Sequence, residues 1–271
     1  MEIGDRGEPA RDQVRGGVRA IGAIWLILLV AACGARGPLA DLEPGERGRV
    51  VRVVDGDTIV LDTGQSVRLV GIEAPSGGFG DRDPQPFHTE AKRMMEDMVL
   101  GRQVQLHYGG LTRDRYDRAL AHAETDDALG PRFWLNAEIV KRGGARVRVY
   151  PDTSAANAPL FDLERDAREN SVGMWSTREY RIPHATDLPD TFEGFQLIYG
   201  NVADMQGSDG FGAVCDLSLE GSHLRLQIQV PAAGHCQSAL GANVLARGYV
   251  RDRVMEISDK LNLQILSAPP D

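Results

Sequence analysis

A mainly β (α+β) protein is expected: a five-stranded barrel of the OB-fold type with three helices, followed by a second small β-barrel, in 271 residues. Three observations lead there. Short runs of β-formers recur between turn residues up to Tyr150, and three longer segments up to Val172 read as helices from their start and stop signals or apolar spacing. From Phe195 onward only strand and turn patterns occur. Five strands and three helices in this order fit a small Greek-key barrel with helices appended.

The elements follow in order. Val53-Val54-Asp55-Gly56-Asp57-Thr58-Ile59-Val60-Leu61 reads as strand, turn and strand. Asp-Gly between apolar β-formers is a strong hairpin signal, with the glycine expected at φ > 0. The turn lifts Asp55 and Asp57 to the rim of a sheet, where a hard cation can reach them; the alternative is that each Asp bonds its own backbone. Strands are expected over 49–54, 58–62 and 66–72, and 76–87 is a Gly- and Pro-rich loop. A helix over 89–100 has Thr89 as N-cap and Gly101 beyond its end. Strands over 104–108 and 118–125 lead to a helix over 131–142, with Pro in its first turn and Gly143-Gly144 stopping it. A short strand over 146–150 and a helix over 159–172 complete the barrel. Residues 177–192 read as a linker. Further strands are expected over 197–202, 213–219, 224–230, 243–250 and 254–257.

The N-terminal 33 residues read as a targeting segment. Arg11, Arg15 and Arg19 form a basic region, and the apolar run that follows is too short for an ordinary membrane-spanning helix. Val30-Ala31-Ala32-Cys33 resembles a bacterial lipobox, which implies a signal peptide cut before a lipidated Cys33; a signal peptide cut elsewhere or an uncleaved anchor are the alternatives. Residues 34–47 then form a tether. The expectation is a chain anchored to a membrane by lipid and facing the periplasm or the cell exterior. In that oxidising setting Cys215 and Cys236 are either a disulfide or two buried thiols.

The formal net charge is −9, whereas a basic footprint is the usual mark of a nucleic-acid binder. Any polyanion must therefore be held locally, through a few arginines and a metal, weakly and with strong salt dependence. The six histidines are scattered without metal-ligand spacing. The chain has no phosphate-cradling Gly-rich loop leading into a helix and no nucleophile elbow. No protein partner can be inferred.

Three blocks occur in order: Asp55-Gly56-Asp57-Thr58; Arg68-Leu69-Val70-Gly71-Ile72-Glu73-Ala74-Pro75; and Asp114-Arg115-Tyr116-Asp117-Arg118. Together they resemble the staphylococcal nuclease (thermonuclease) family, over about 48–176 and ending in Gly173-Met174-Trp175. The resemblance implies an OB-fold and a calcium-dependent endonuclease that hydrolyses single-stranded DNA or RNA. It implies Asp57, Glu73 and the backbone carbonyl of Ala74 as calcium ligands, with Glu73 standing where the family usually has Asp. Arg68 matches the arginine on the scissile phosphate, and Arg118 the one facing developing charge. Asp55, Thr58, Asp114 and Tyr116 support them, and Asp117 stands where Gly is common. Residues 193–271 resemble, loosely, the small OB-like module that follows the nuclease domain in some bacterial relatives.

One departure bears on chemistry. Ser76 occupies the position of the family's carboxylate general base. A hydroxyl does not take a proton from water near neutral pH, and general-base catalysis is typically worth about 10²–10⁴ in rate. Asp81, Asp83 and Glu90 are candidate substitutes, as is Glu73 acting as base. A rival reading is a non-catalytic nucleic-acid or polyanion-binding lipoprotein that has lost the base at Ser76. A purely structural envelope lipoprotein is a third.

Overall fold

The computed structural model describes residues 37–78, 80, 83–189 and 192–267. The targeting segment, Cys33 and the start of the tether lie outside the described residues, as does Asp81.

The first barrel is built from β1 (Glu43–Asp55), β2 (Thr58–Leu61), β3 (Ser66–Leu69), a two-residue β4 (Ile72–Glu73), α1 (His88–Val99), β5 (Gln103–Tyr108) and β6 (Ala119–Thr125). Its strands close in the order β1-β2-β3-β6-β5. The β3–β6 pair is parallel and the others are antiparallel. β1 serves two neighbours, pairing with β5 through its first half and with β2 through its second. Register shifts along it supply the bend that closure needs. It starts at Glu43, inside the stretch expected as a tether, because 43–49 finds hydrogen-bond partners along β5.

Alternation fills the barrel with Val50, Val53, Ile59, Leu61, Val67, Leu69, Val104 and Leu106, and α1 covers one end with Met95 and Val99. α2 (Leu135–Lys141), β7 (Arg146–Val147) and α3 (Ala158–Glu169) complete this half.

Two helix starts differ from expectation. α1 is preceded by Phe87 in the left-handed conformation, with no side-chain cap, so Thr89 lies inside the helix. α2 begins four residues after Pro131, because the intervening chain is drawn onto β6. The Thr125 N–H donates to the Phe133 carbonyl at 3.1 Å, and Thr125 Oγ1 donates to the Pro131 carbonyl at 3.2 Å.

The second half comprises β8 (Gly194–Gly207), β9 (Ala213–Leu219), β10 (Arg225–Gln229), α4 (His235–Ser238), β11 (Asn243–Arg251), β12 (Val254–Ile257) and β13 (Leu263–Leu266). The sheet order is β12-β10-β9-β8-β11-β13, and a β11–β12 pairing closes five of these strands into a second barrel. The β10–β12 pair is parallel, as β3–β6 is in the first. Both halves thus have the OB order, with the third and fifth strands parallel and a helix between the third and fourth. Cys215 on β9 and Cys236 on α4 form a disulfide with Cα atoms 6.1 Å apart.

The two barrels share the strand around β7. Arg247 of β11 and Glu164 of α3, each 1% exposed, form an ion pair at 2.7 Å. Arg247 Nη1 also donates to the Val147 carbonyl at 2.9 Å, while Glu164 Oε1 accepts the Val147 N–H at 2.7 Å. Asn262 Nδ2 donates to the Val149 carbonyl at 3.0 Å, and Arg146 Nη1 to the Phe195 carbonyl at 3.1 Å. The stretch expected as a linker is packed down as well: Tyr180 is buried and its hydroxyl donates to the Pro86 carbonyl at 2.8 Å.

Candidate active site

The β1–β2 turn is two residues long, Gly56 and Asp57, between paired Asp55 and Thr58. Gly56 does not adopt the expected positive φ. Space is what demands glycine: a Cβ there would lie 2.8 Å from the Ala74 Cβ and 3.1 Å from that of Ala91 on α1. This close approach presses Asp57 inward. It is 1% exposed and accepts the Ala74 N–H at 2.6 Å and the Thr58 hydroxyl at 3.0 Å. Asp55 shapes the turn by accepting the Asp57 N–H at 3.3 Å.

β3 carries Arg68 to the same point, and Gly71 at φ +76° turns the chain back so that Glu73 returns beside it. Arg68 pairs with Asp57 Oδ1 and donates to Glu73 Oε2 at 2.6 Å. The same Glu73 oxygen lies 2.9 Å from Arg148 Nη1. β4 pairs with β7, Glu73 opposite Arg146, which brings the following Arg148 into range. Burial would push the Glu73 carboxyl up, but Arg68, Arg148 and Arg146 outweigh it and hold it below the usual carboxylate range.

Arg118 enters from the other wall. The Asp114 loop folds on itself, with Asp114 Oδ1 accepting the N–H groups of Tyr116 and Arg118 at 2.9 and 3.0 Å. Asp114 Oδ2 then holds Arg118 at 2.7 Å from Nε. Burial raises the Asp114 carboxyl, and these Arg118 and Tyr116 bonds bring it below its ordinary range. Asp117 sits at φ 60°, a conformation Asp tolerates, which accounts for an Asp where Gly is common. Tyr116 is 66% exposed, with the Arg118 guanidinium 5.6 Å from its ring centre.

These side chains line one pocket of about 640 Å³, with Asp57, Arg68, Glu73, Arg118, Arg148 and Tyr150 on its walls and Ser76 among its lining residues. Ser76 is pinned to Gln85 through the Ser76 N–H (2.9 Å) and carbonyl (2.8 Å). Of the candidate substitute bases, Asp83 and Glu90 do not line the pocket and Glu73 does; Asp55, Asp114 and Asp152, which were not among the candidates, line it too.

Among the described residues no group of three or more His, Cys, Asp or Glu side chains forms a metal site. Asp57 and Glu73 nonetheless converge on one cationic group, the Arg68 guanidinium. Their all-oxygen character suits a hard divalent cation that keeps several waters, once Arg68 gives up its place.

Arg148 and Tyr150 are site residues that motif reading passed over. The alternation Arg146-Val147-Arg148-Val149-Tyr150, which sets all three on one face of an extended strand, was the available signal.

The fold and pocket define a class: an OB barrel whose first turn and third strand present paired carboxylates and arginines. Residues 66–177 match the family model described as Staphylococcal nuclease homologue. An "Uncharacterized endonuclease" of Escherichia coli O157:H7 is 36% identical over 132 residues, 48% of this chain and 76% of that protein. A "Micrococcal nuclease" of Shigella flexneri is 33% identical over 144 residues, 51% of this chain and 78% of that protein. A "Thermonuclease" of Staphylococcus intermedius is 27% identical over 165 residues, 59% of this chain and 95% of that protein. The chain belongs to the staphylococcal nuclease family.

Proposed function

We propose that this chain hydrolyses phosphodiester bonds of single-stranded DNA or RNA by calcium-assisted attack of water, as an exported, lipid-anchored endonuclease leaving a 3′-phosphate. The observation that carries the reading is the bonded unit of Asp57, Arg68 and Glu73, facing a pocket that also receives Arg118. Asp57, Glu73 and the Ala74 carbonyl would hold calcium, whose chemistry when bound is to neutralise phosphate charge and orient water. Arg68, freed from Asp57, would grip the scissile phosphate through its planar fork. Arg118, aimed by Asp114, would stabilise the charge that develops at phosphorus. Ser76 cannot serve as base near neutral pH, so a carboxylate lining the pocket takes the proton at a reduced rate.

Export is supported by the basic region, the short apolar run and Val30-Ala31-Ala32-Cys33, with lipidation at Cys33. The Cys215–Cys236 bond agrees with an oxidising compartment, the periplasm or cell exterior. One feature favours a non-catalytic polyanion binder instead: the hydroxyl of Ser76 at the base position.

The deciding experiment is cleavage of single-stranded DNA by the chain from residue 34 onward, with calcium or with chelator. Calcium-dependent cleavage is expected, falling by about 10²–10³ in Arg118→Ala, the usual cost of losing one charge-stabilising donor. Binding that depends on Arg68 and Arg118 without cleavage would establish the binder instead.

A further inference from the structure

The cleavage pocket does not end at Arg148 and Tyr150. The same two residues line a second cavity of about 550 Å³ that continues onto the second barrel, against Phe195, Tyr249 and Arg251. Arg148 is the joint. One edge holds Glu73 at 2.9 Å. Its guanidinium lies 4.7 Å from the Tyr150 ring centre, 5.1 Å from that of Phe195 and 5.7 Å from that of Tyr249. Tyr150 and Tyr249 stay 46% and 43% exposed, although each is next to a buried valine, Val149 and Val250. An exposed pair of tyrosine rings beside arginines is the composition that holds single-stranded nucleic acid, by stacking on bases that all present a π-face.

We propose that the second barrel forms a nucleotide ledge continuous with the cleavage pocket, where bases beyond the two nucleotides joined by the scissile phosphate of a single-stranded substrate stack on Tyr249. The inference rests on the nuclease reading for the position of that phosphate. Asp252 and Glu256 also line the cavity and balance Arg148 and Arg251 in charge. The ledge therefore favours bases over phosphates, and stacking, not charge, carries its binding. Asp252 belongs to the connection between the fourth and fifth strands of that barrel, one of the two loops through which OB barrels bind oligonucleotides.

The test compares wild type, Tyr249→Ala and Tyr249→Phe on a dinucleotide, which reaches only the cleavage pocket, and on a 20-residue single-stranded DNA. The ratio of kcat/KM for the long substrate to that for the short one is expected to fall about 10-fold in Tyr249→Ala, through KM, and to return in Tyr249→Phe. An unchanged ratio overturns the ledge. In parallel, fluorescence anisotropy measures binding of the labelled 20-mer with chelator present. If the wild type cleaves neither substrate, the nuclease reading fails and this arm decides the ledge alone. Weaker binding of the 20-mer in Tyr249→Ala, restored in Tyr249→Phe, supports it. Equal binding by all three proteins, or a preference for duplex over single strand, overturns it.

Discussion

In the proposed mechanism Ser76 is the residue on which rate turns. It lines the pocket and is exposed, with its backbone anchored to Gln85, so a longer side chain can extend from it into open space. Ser76→Glu is expected to raise the calcium-dependent rate near neutral pH by about 10²-fold, the lower end of what a general base supplies. Single-turnover cleavage measures it, and no gain would show that another carboxylate already takes the proton. His122 governs a different property. It is buried against Trp134, and burial pushes it down to about 4, opposed in part by its bond to the Ala155 carbonyl. The unfolded chain takes up this proton near pH 6.5 while the folded chain does not, so the unfolded state binds more protons between these values. Stability therefore declines as pH falls through that window, by about 3 kcal/mol from this group. Urea unfolding at pH 7 and pH 4.5 should show the loss, reduced in His122→Gln. Asp57 was legible from the chemistry of its turn, and Arg68, Glu73 and Arg118 from the family resemblance of the contiguous runs that carry them. Arg148 was not, since its partner Glu73 is remote in sequence and only the β4–β7 pairing joins them.

The strand after α2 shows what local reading lacks. Periodicity marked 146–150 as a strand, yet only Arg146 and Val147 pair within the first barrel as β7. Beyond β7 the Arg148 N–H donates to the Gly71 carbonyl at 2.9 Å and the Val149 carbonyl accepts from Asn262 of the second barrel at 3.0 Å, while Arg247 and Phe195 bond Val147 and Arg146 of β7 itself. Arg247→Ala leaves Glu164 charged, buried and without its cationic partner, and breaking such a pair costs about 3–5 kcal/mol. Thermal unfolding should fall by about 10 °C in this variant. Arg247→Met paired with Glu164→Leu, which removes both charges and keeps volume, should recover most of that loss. Helix termini were misread for a related reason. Thr89 and Pro131 carry ordinary start signals, but the actual starts answer to Phe87 in a left-handed turn and to the pull of β6 on Phe133. Tertiary hydrogen bonds overrode local preference there.

The mainly β class and the first barrel were readable from the spacing of strands and helices, and the second barrel only from its run of strands together with a loose resemblance. What the spacing concealed was that both barrels share one strand order and are bonded through Arg247, Glu164, Asn262 and Arg146. The net charge of −9 coexists with a pocket rich in arginine because those arginines are already matched to Asp57, Glu73 and Asp114. The disulfide gives this connection a temporal meaning. Cys215–Cys236 lies wholly in the second barrel and closes a loop of 21 residues' separation, a stabilisation of about 3 kcal/mol in the chain-entropy view. That barrel in turn fastens the wall bearing Arg148. On the proposed reading of an exported nuclease, a freshly made, still-reduced chain is expected to hold the wall bearing Arg148 less firmly, so that the cell that makes the protein meets the less active form first.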